Sequence, residues 1–340
     1  MRSQMPGADA PSSARTTLSL RPNPELLRRA TNCTRYRRVS QVKLWAMVGG
    51  STRVRLTDDS QSGWLSFEYL SRLPGHVNEH EVYPSAPVVV ATVEVRHTET
   101  PSLTQPERKK VKQALSGWAP IQRSSKQLIV TGMVGAPGVG DQAFEEFPKY
   151  FSRDSMLAIS FRKEAVVIEA TRYGGWLAFK DIIDAAVKAR ADIGVPDAVE
   201  RVGIRYLNEI RPGGSSSIDW NDWLDPAILG PIDLGDAVGL PTKQWQGQAI
   251  YGPEDGRSLV LRYAPGEGQA VETGQELVRS KFTPGPFMWI DIDSFWLHEA
   301  ELPEFDTDVI TGKCDDLHTP LRTLFEKLIT PNLREVLRRG

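Results

Sequence analysis

Asp291 and Asp293 stand two apart in the run WIDID. On a strand that spacing projects both carboxylates from one face. There they could hold a divalent cation or share acid–base work, the chemistry of a metal-assisted hydrolase. The same alternation has a plainer meaning, with Ile290 and Ile292 turned to the core and the two aspartates turned to water. A metal needs further oxygen ligands, and no second acidic strand is evident, so no metal is expected. His298 comes next along the chain, in HEAEL. It lacks the second histidine of the H-E-x-x-H zinc signature, because position 302 is Leu.

Arg205 lies mid-way along residues 199–211 (VERVGIRYLNEIR), with Gly203 and Leu207 on its own face. An arginine there either contacts an anion in a groove or pairs with a carboxylate, from Glu209 or from a neighbouring strand. Pairing is the expectation, since arginines on sheets are usually salt-bridged or exposed. Trp220 and Trp223, three apart in DWNDWL, could form a partner-binding patch. Such residues more often pin a loop to the core.

Other templates fail on a missing member. Residues 135–142 (GAPGVGDQ) have the G-x-x-x-x-G skeleton of a phosphate loop, but Asp141 and Gln142 replace the Lys and Ser/Thr that would reach phosphate and Mg²⁺. A carboxylate there repels a triphosphate. His76 and His80 have i, i+4 spacing without a third ligand. Cys314 and His318 share a helical turn, and nothing in the sequence sets them up as a catalytic pair. No G-x-S-x-G nucleophile motif occurs. No cofactor is expected.

The elements that must position these residues read as follows. Residues 52–58 and 63–70 alternate in period two and suggest a hairpin. Residues 88–97 (VVVATVEVRH) form a β-branched strand. A helix follows from about Thr104, with Glu107 completing a capping box. Strands are predicted at 127–131, around the turn at 162–164, at 199–211, 248–251, 258–263 and 287–297, and helices at 176–193 and from Thr307. Pro320 is expected to kink or split the last helix. This order predicts an α+β fold: largely antiparallel sheet, helices on one face, long Gly/Pro-rich connections and a C-terminal helix. Two sub-sheets could divide near 212–247.

The 340 residues are 40% hydrophobic, enough for one large or two modest cores. Net charge is −2, but in residues 1–50 nine Lys/Arg face two acids. That surplus of +7 leaves −9 on the remaining 290 residues. So acidic a body does not attract a phosphate backbone by its mean field. Residues 1–46 are basic and proline-punctuated, which predicts disorder or an internal start at Met47. Nucleic-acid binding by this arm is the third functional reading. Residues 47–81 form a hairpin extension and 82–337 the main domain. Only Cys33 and Cys314 occur, which fits a reducing compartment. No apolar run reaches membrane-spanning length and no signal peptide is visible. A cytoplasmic protein with no membrane partner is the expectation.

From residue 82 to about 337 the chain resembles a sporadically distributed family of bacterial and archaeal proteins without an assigned activity. The resemblance rests on PVVVATVEVR (87–96) with its capped helix, RVGIRYLNEI (201–210), WIDID (289–293) and the closing helix with LREVL (333–337). Residues 1–81 lie outside it. It carries no catalytic residue over, and its patchy distribution implies an accessory role associated with mobile elements, defence or toxin–antitoxin systems. Since every catalytic template lacks a member, a non-catalytic binding or interaction protein with a protein partner is expected. The metal-assisted hydrolase through Asp291 and Asp293 is the alternative.

Overall fold

A computed structural model describes residues 41–45, 53–57, 62–65, 82–131, 141–211, 218–230, 232, 234–240, 242–271, 276–280, 284–298 and 301–339. The chain divides into two units, Met1–Glu79 and His80–Gly340. In the first, β1 (Gln41–Trp45), β2 (Arg53–Thr57) and β3 (Ser62–Leu65) pair antiparallel in that order. β2 and β3 form a hairpin where the alternation predicts one. β1 falls inside residues 1–46, where composition predicts no packed structure. Locally the QVKLW alternation is a strand pattern, and β2 supplies its partner. His76 and His80 lie outside the described residues.

The second unit is α+β. Its strands are β4 (Val88–His97), β5 (Ile121–Thr131), β6 (Asp141–Phe151), β7 (Leu157–Phe161), β8 (Ala165–Ala170), β9 (Val199–Ile210), β10 (Gly247–Glu254), β11 (Arg257–Glu267) and β12 (Pro286–Leu297). Its helices are α1 (Gln105–Ala114), α2 (Trp176–Ala191), the short α3 (Leu234–Val238), α4 (Thr307–Leu328) and α5 (Pro331–Arg339). The nine strands form one antiparallel sheet in the order β10-β11-β12-β9-β4-β8-β7-β6-β5. A division into two sub-sheets near 212–247 is not what forms. β9 before that connection and β12 after it are direct neighbours, with Leu207 opposite Asp291 and Arg205 opposite Asp293.

Strand alternation sorts side chains between the two faces. Ala91, Val93 and Val95 of β4 share one face with Val166, Ile168, Ile204, Tyr206, Ile290 and Ile292, all buried. α4 lies on this face against β12, β9 and β11, α2 lies against β8, and α1 packs on α2. The helices contribute their apolar stripes, such as Phe179, Ile183 and Val187 of α2 and Ile310, Leu317 and Leu321 of α4. Burial of these stripes is what holds the helices to the sheet.

Local signals set the helix ends. Thr104 and Glu107 make the capping box before α1. Asp306 starts α4, its Oδ1 accepting from the Asp308 and Val309 N–H groups at 2.8 and 2.9 Å. α4 runs unbroken through Pro320, so the proline does not split it. Packing of Leu317, Leu321 and Phe325 on either side of it holds the helix through the missing hydrogen bond. Asp306→Ala is expected to cost about 1 kcal/mol. Urea unfolding of the variant beside the parent measures this, and an unchanged midpoint would show that packing alone fixes the start of α4.

Candidate functional site

The opposite face of the sheet carries Arg205, Arg262, Asp291, Asp293 and Glu209 among its alternate positions. Register places Thr92, Arg205, Asp293 and Val260 in one row across β4, β9, β12 and β11. The next row is Val90, Leu207, Asp291, Arg262 and, on β10, Gln248. Asp291 therefore sits between two strands that each aim an arginine at it. Arg205 donates through Nε and Nη2 to its two carboxylate oxygens at 2.7 and 2.8 Å. From the opposite side Arg262 Nη1 donates to Oδ2 at 3.3 Å, while its Nε reaches Gln248 Oε1 at 3.2 Å.

This geometry explains how a carboxylate tolerates burial. Asp291 is only 1% exposed, whereas the side chains of Arg205 and Arg262 remain 54% and 38% exposed. A bidentate guanidinium satisfies both oxygens along their lone pairs, which makes a buried charge tenable. The hydrogen bonds to Asp291 hold Arg205 above its ordinary pKa. Asp293 has weaker support. Burial raises its carboxyl above the usual range, and Arg201, 3.7 Å away, only partly opposes this.

Arg201 is shared, since its Nη1 also donates to Glu94 Oε2 at 2.5 Å. Gly203 makes that posture fit. A Cβ added there would stand 2.8 Å from Arg201 Nη1, so the guanidinium folds back over a strand position without a side chain. Glu209 repeats the pattern of Asp291. Burial alone would raise its carboxyl, but hydrogen bonds from Arg279, the Ala270 N–H and Arg211 outweigh this and hold it below its usual value.

The connection after β11 returns across this face. Ala270 and Arg279 bind Glu209 on β9, Glu276 reaches Lys149 on β6 and accepts from Ser125 on β5, and Val278 bonds Ser155 and Thr171. Between this strap and the sheet lies a pocket of about 520 Å³, lined by Arg205, Leu207, Arg262, Ala270, Val271, Trp289 and Asp291. The lining offers two guanidiniums, one carboxylate already engaged by both, and apolar walls. Among the described residues that line it there is no thiol, hydroxyl or imidazole.

No protein-family model matches the chain, and neither does any curated protein.

The candidates read from sequence separate in space. Arg205, Asp291 and Asp293 come together. His298 follows the end of β12, seven residues beyond Asp291, and at strand rise that is roughly 23 Å away. Its ring packs on Trp296, whose own side chain is on the helix-bearing face. Trp220 and Trp223 flank a single 3₁₀ turn and pack against the helix-side core. Cys314 and His318 are both buried in α4. The ring of His318 stacks on Trp176 at 4.1 Å, and burial lifts the Cys314 thiol to about 12, so it presents no thiolate.

Residues 132–140 join β5 to β6, and Asp141 and Gln142 begin a strand. A phosphate loop instead opens into a helix N-terminus. As for metal, both oxygens of Asp291 are occupied by guanidinium, and the described residues contain no group of three or more His, Cys, Asp or Glu placed to hold an ion. Among the described residues no helix is long and apolar enough to cross a membrane.

Sequence reasoning passed over Arg262, Trp289 and Val271. Arg262 left a faint trace, as a charge amid the apolar run LVLRYA of a strand. That charge shows where the solvent face is and gives no sign of which strand is its neighbour.

Proposed function

We propose that the chain is a non-catalytic binding protein of the cytoplasm, with an accessory role, that captures a protein partner on the charged face of its sheet. One observation carries the reading: an open pocket on that face is floored by partly exposed arginines around a buried aspartate and walled by Leu207, Val271 and Trp289. Apolar walls around a few fixed polar groups are the usual makeup of recognition sites, and Trp and Arg are the residues that most often dominate binding energy at interfaces. The acidic charge of residues 51–340 supports a protein partner over nucleic acid. The sporadic distribution implied by the family resemblance supports the accessory role.

The reading is tested by partner capture with variants on opposite faces. Immobilised protein should retain a partner that Trp289→Ala binds about 30-fold more weakly, the effect of losing a hot-spot aromatic. Leu177→Glu, on the exposed side of α2, should bind it as the parent does. Equal retention by both variants overturns the assignment of the face. Saturable turnover of any substrate by the purified chain overturns the non-catalytic reading.

A further inference from the structure

We infer that the pocket between β9, β11, β12 and the strap binds a carboxylate borne on an apolar body. The inference rests on the proposed binding role of this face and supplies the chemistry of its ligand. Asp291 uses Nε and Nη2 of Arg205 and one N–H of Arg262 Nη1, while Arg262 Nε is taken by Gln248. No described residue accepts from Arg205 Nη1 or Arg262 Nη2. These two groups come from strands on either side of β12 and belong to side chains 54% and 38% exposed. Both side chains line the same pocket, and two guanidiniums on one space suit an anion with two oxygens.

Charge balance selects its valence. Arg205 and Arg262 against Asp291 leave the lining with a surplus of one positive charge. The neighbouring groups do not cancel it. Glu209 is held by two arginines, a surplus of one positive charge, while Arg96 and Arg201 are matched by Glu94 and Asp293. A monoanion neutralises the lining itself, whereas a phosphate monoester, at about −1.5 to −2 near neutral pH, exceeds the lining's own surplus and sets more negative charge beside Asp291. Leu207, Val271 and Trp289 provide apolar surface for the body that carries the carboxylate. Such a group can be a free organic acid or the C-terminal carboxylate of a protein ending in an apolar residue.

Titration calorimetry of the full chain decides, with phenylacetate, phenyl phosphate and the peptide acetyl-Ala-Ala-Phe as free acid and as amide. Phenylacetate or the peptide acid should saturate one site, with phenyl phosphate weaker and the amide at least about tenfold weaker than the acid. A free acid is the source if phenylacetate matches the peptide acid, and a protein C-terminus if the peptide acid binds about tenfold more tightly. Arg262→Gln, which leaves the Arg205–Asp291 pair in place, should weaken the acid at least about tenfold. Should that variant fold poorly, Val271→Glu supplies a carboxylate from the strap and should block the site instead. Failure of both acids to bind overturns the inference, as does phenyl phosphate binding more tightly than phenylacetate, or binding indifferent to both variants. Partner capture sensitive to Trp289→Ala would stand through any of those failures, so the two readings fall separately.

Discussion

Replacing Arg205 and Arg262 together by methionine is expected to destabilise the fold by about 3–5 kcal/mol, the scale for stranding one partner of a buried ion pair. Methionine keeps much of each aliphatic stem, so the loss isolates the charge. Asp291 would stay buried in mid-sheet, while the neighbouring guanidiniums are committed elsewhere, Arg201 to Glu94 and Asp293, and Arg211 and Arg279 to Glu209. Asp291→Ala should cost less than the double change, since both arginines are partly exposed and can turn to water. Adding Asp291→Leu to the two methionines should return stability to near the parent, because an apolar replacement of a whole buried ionic cluster is often neutral or better.

Urea unfolding of the single, double and triple variants beside the parent measures these effects. A deficit of the double variant below about 1 kcal/mol, within the range of a surface pair, would mean that Asp291 is solvated and that the pocket has no buried floor.

The architecture was legible in the sequence because its signals are local. Period-two runs such as VVVATVEVRH and VERVGIRYLNEI state which residues share a face, and the capping box at Thr104 marks where the first helix between them begins. The order of strands is not local. WIDID shows that Asp291 and Asp293 point the same way, but only the pairing of β12 with both β9 and β11 brings Arg205 and Arg262 to Asp291, from 86 and 29 residues away. The strap was harder still. Residues 264–286 read as polar loop, and nothing in their composition indicates that Ala270 and Arg279 fasten to Glu209 across the sheet. Expectation and structure part where function is proposed, since the site is assembled from segments whose proximity no periodicity encodes.

Acidification is expected to destabilise the protein steeply between pH 6.5 and about 4, through His97 and His318. His97 is fully buried, and its Nδ1–H donates to the Thr98 carbonyl at 2.8 Å, which fixes the tautomer and leaves Nε2 without a hydrogen-bond partner. A proton at Nε2 would have to share an apolar site with the edge of Phe305 and the positive charge of buried Arg190. Burial is the main cause that drops its pKa to about 4, with Arg190 adding to it and the Thr98 hydrogen bond opposing. His318 reaches about 4 chiefly by burial under the Trp176 ring, with Arg322 adding and Asp315 opposing. In both cases the unfolded chain takes up the proton first, so stability is full above the unfolded value and lost as pH falls toward the folded one. Each imidazole contributes about 1.4 kcal/mol per pH unit across that window, a few kcal/mol in all. His318→Phe keeps a ring against Trp176 and removes one titration, so it should roughly halve the slope of the unfolding free energy between pH 7 and pH 5. A parent protein equally stable at pH 7 and pH 5 would show that the two rings are hydrated or charged in the fold, contrary to the packing of α4 and of the end of β4.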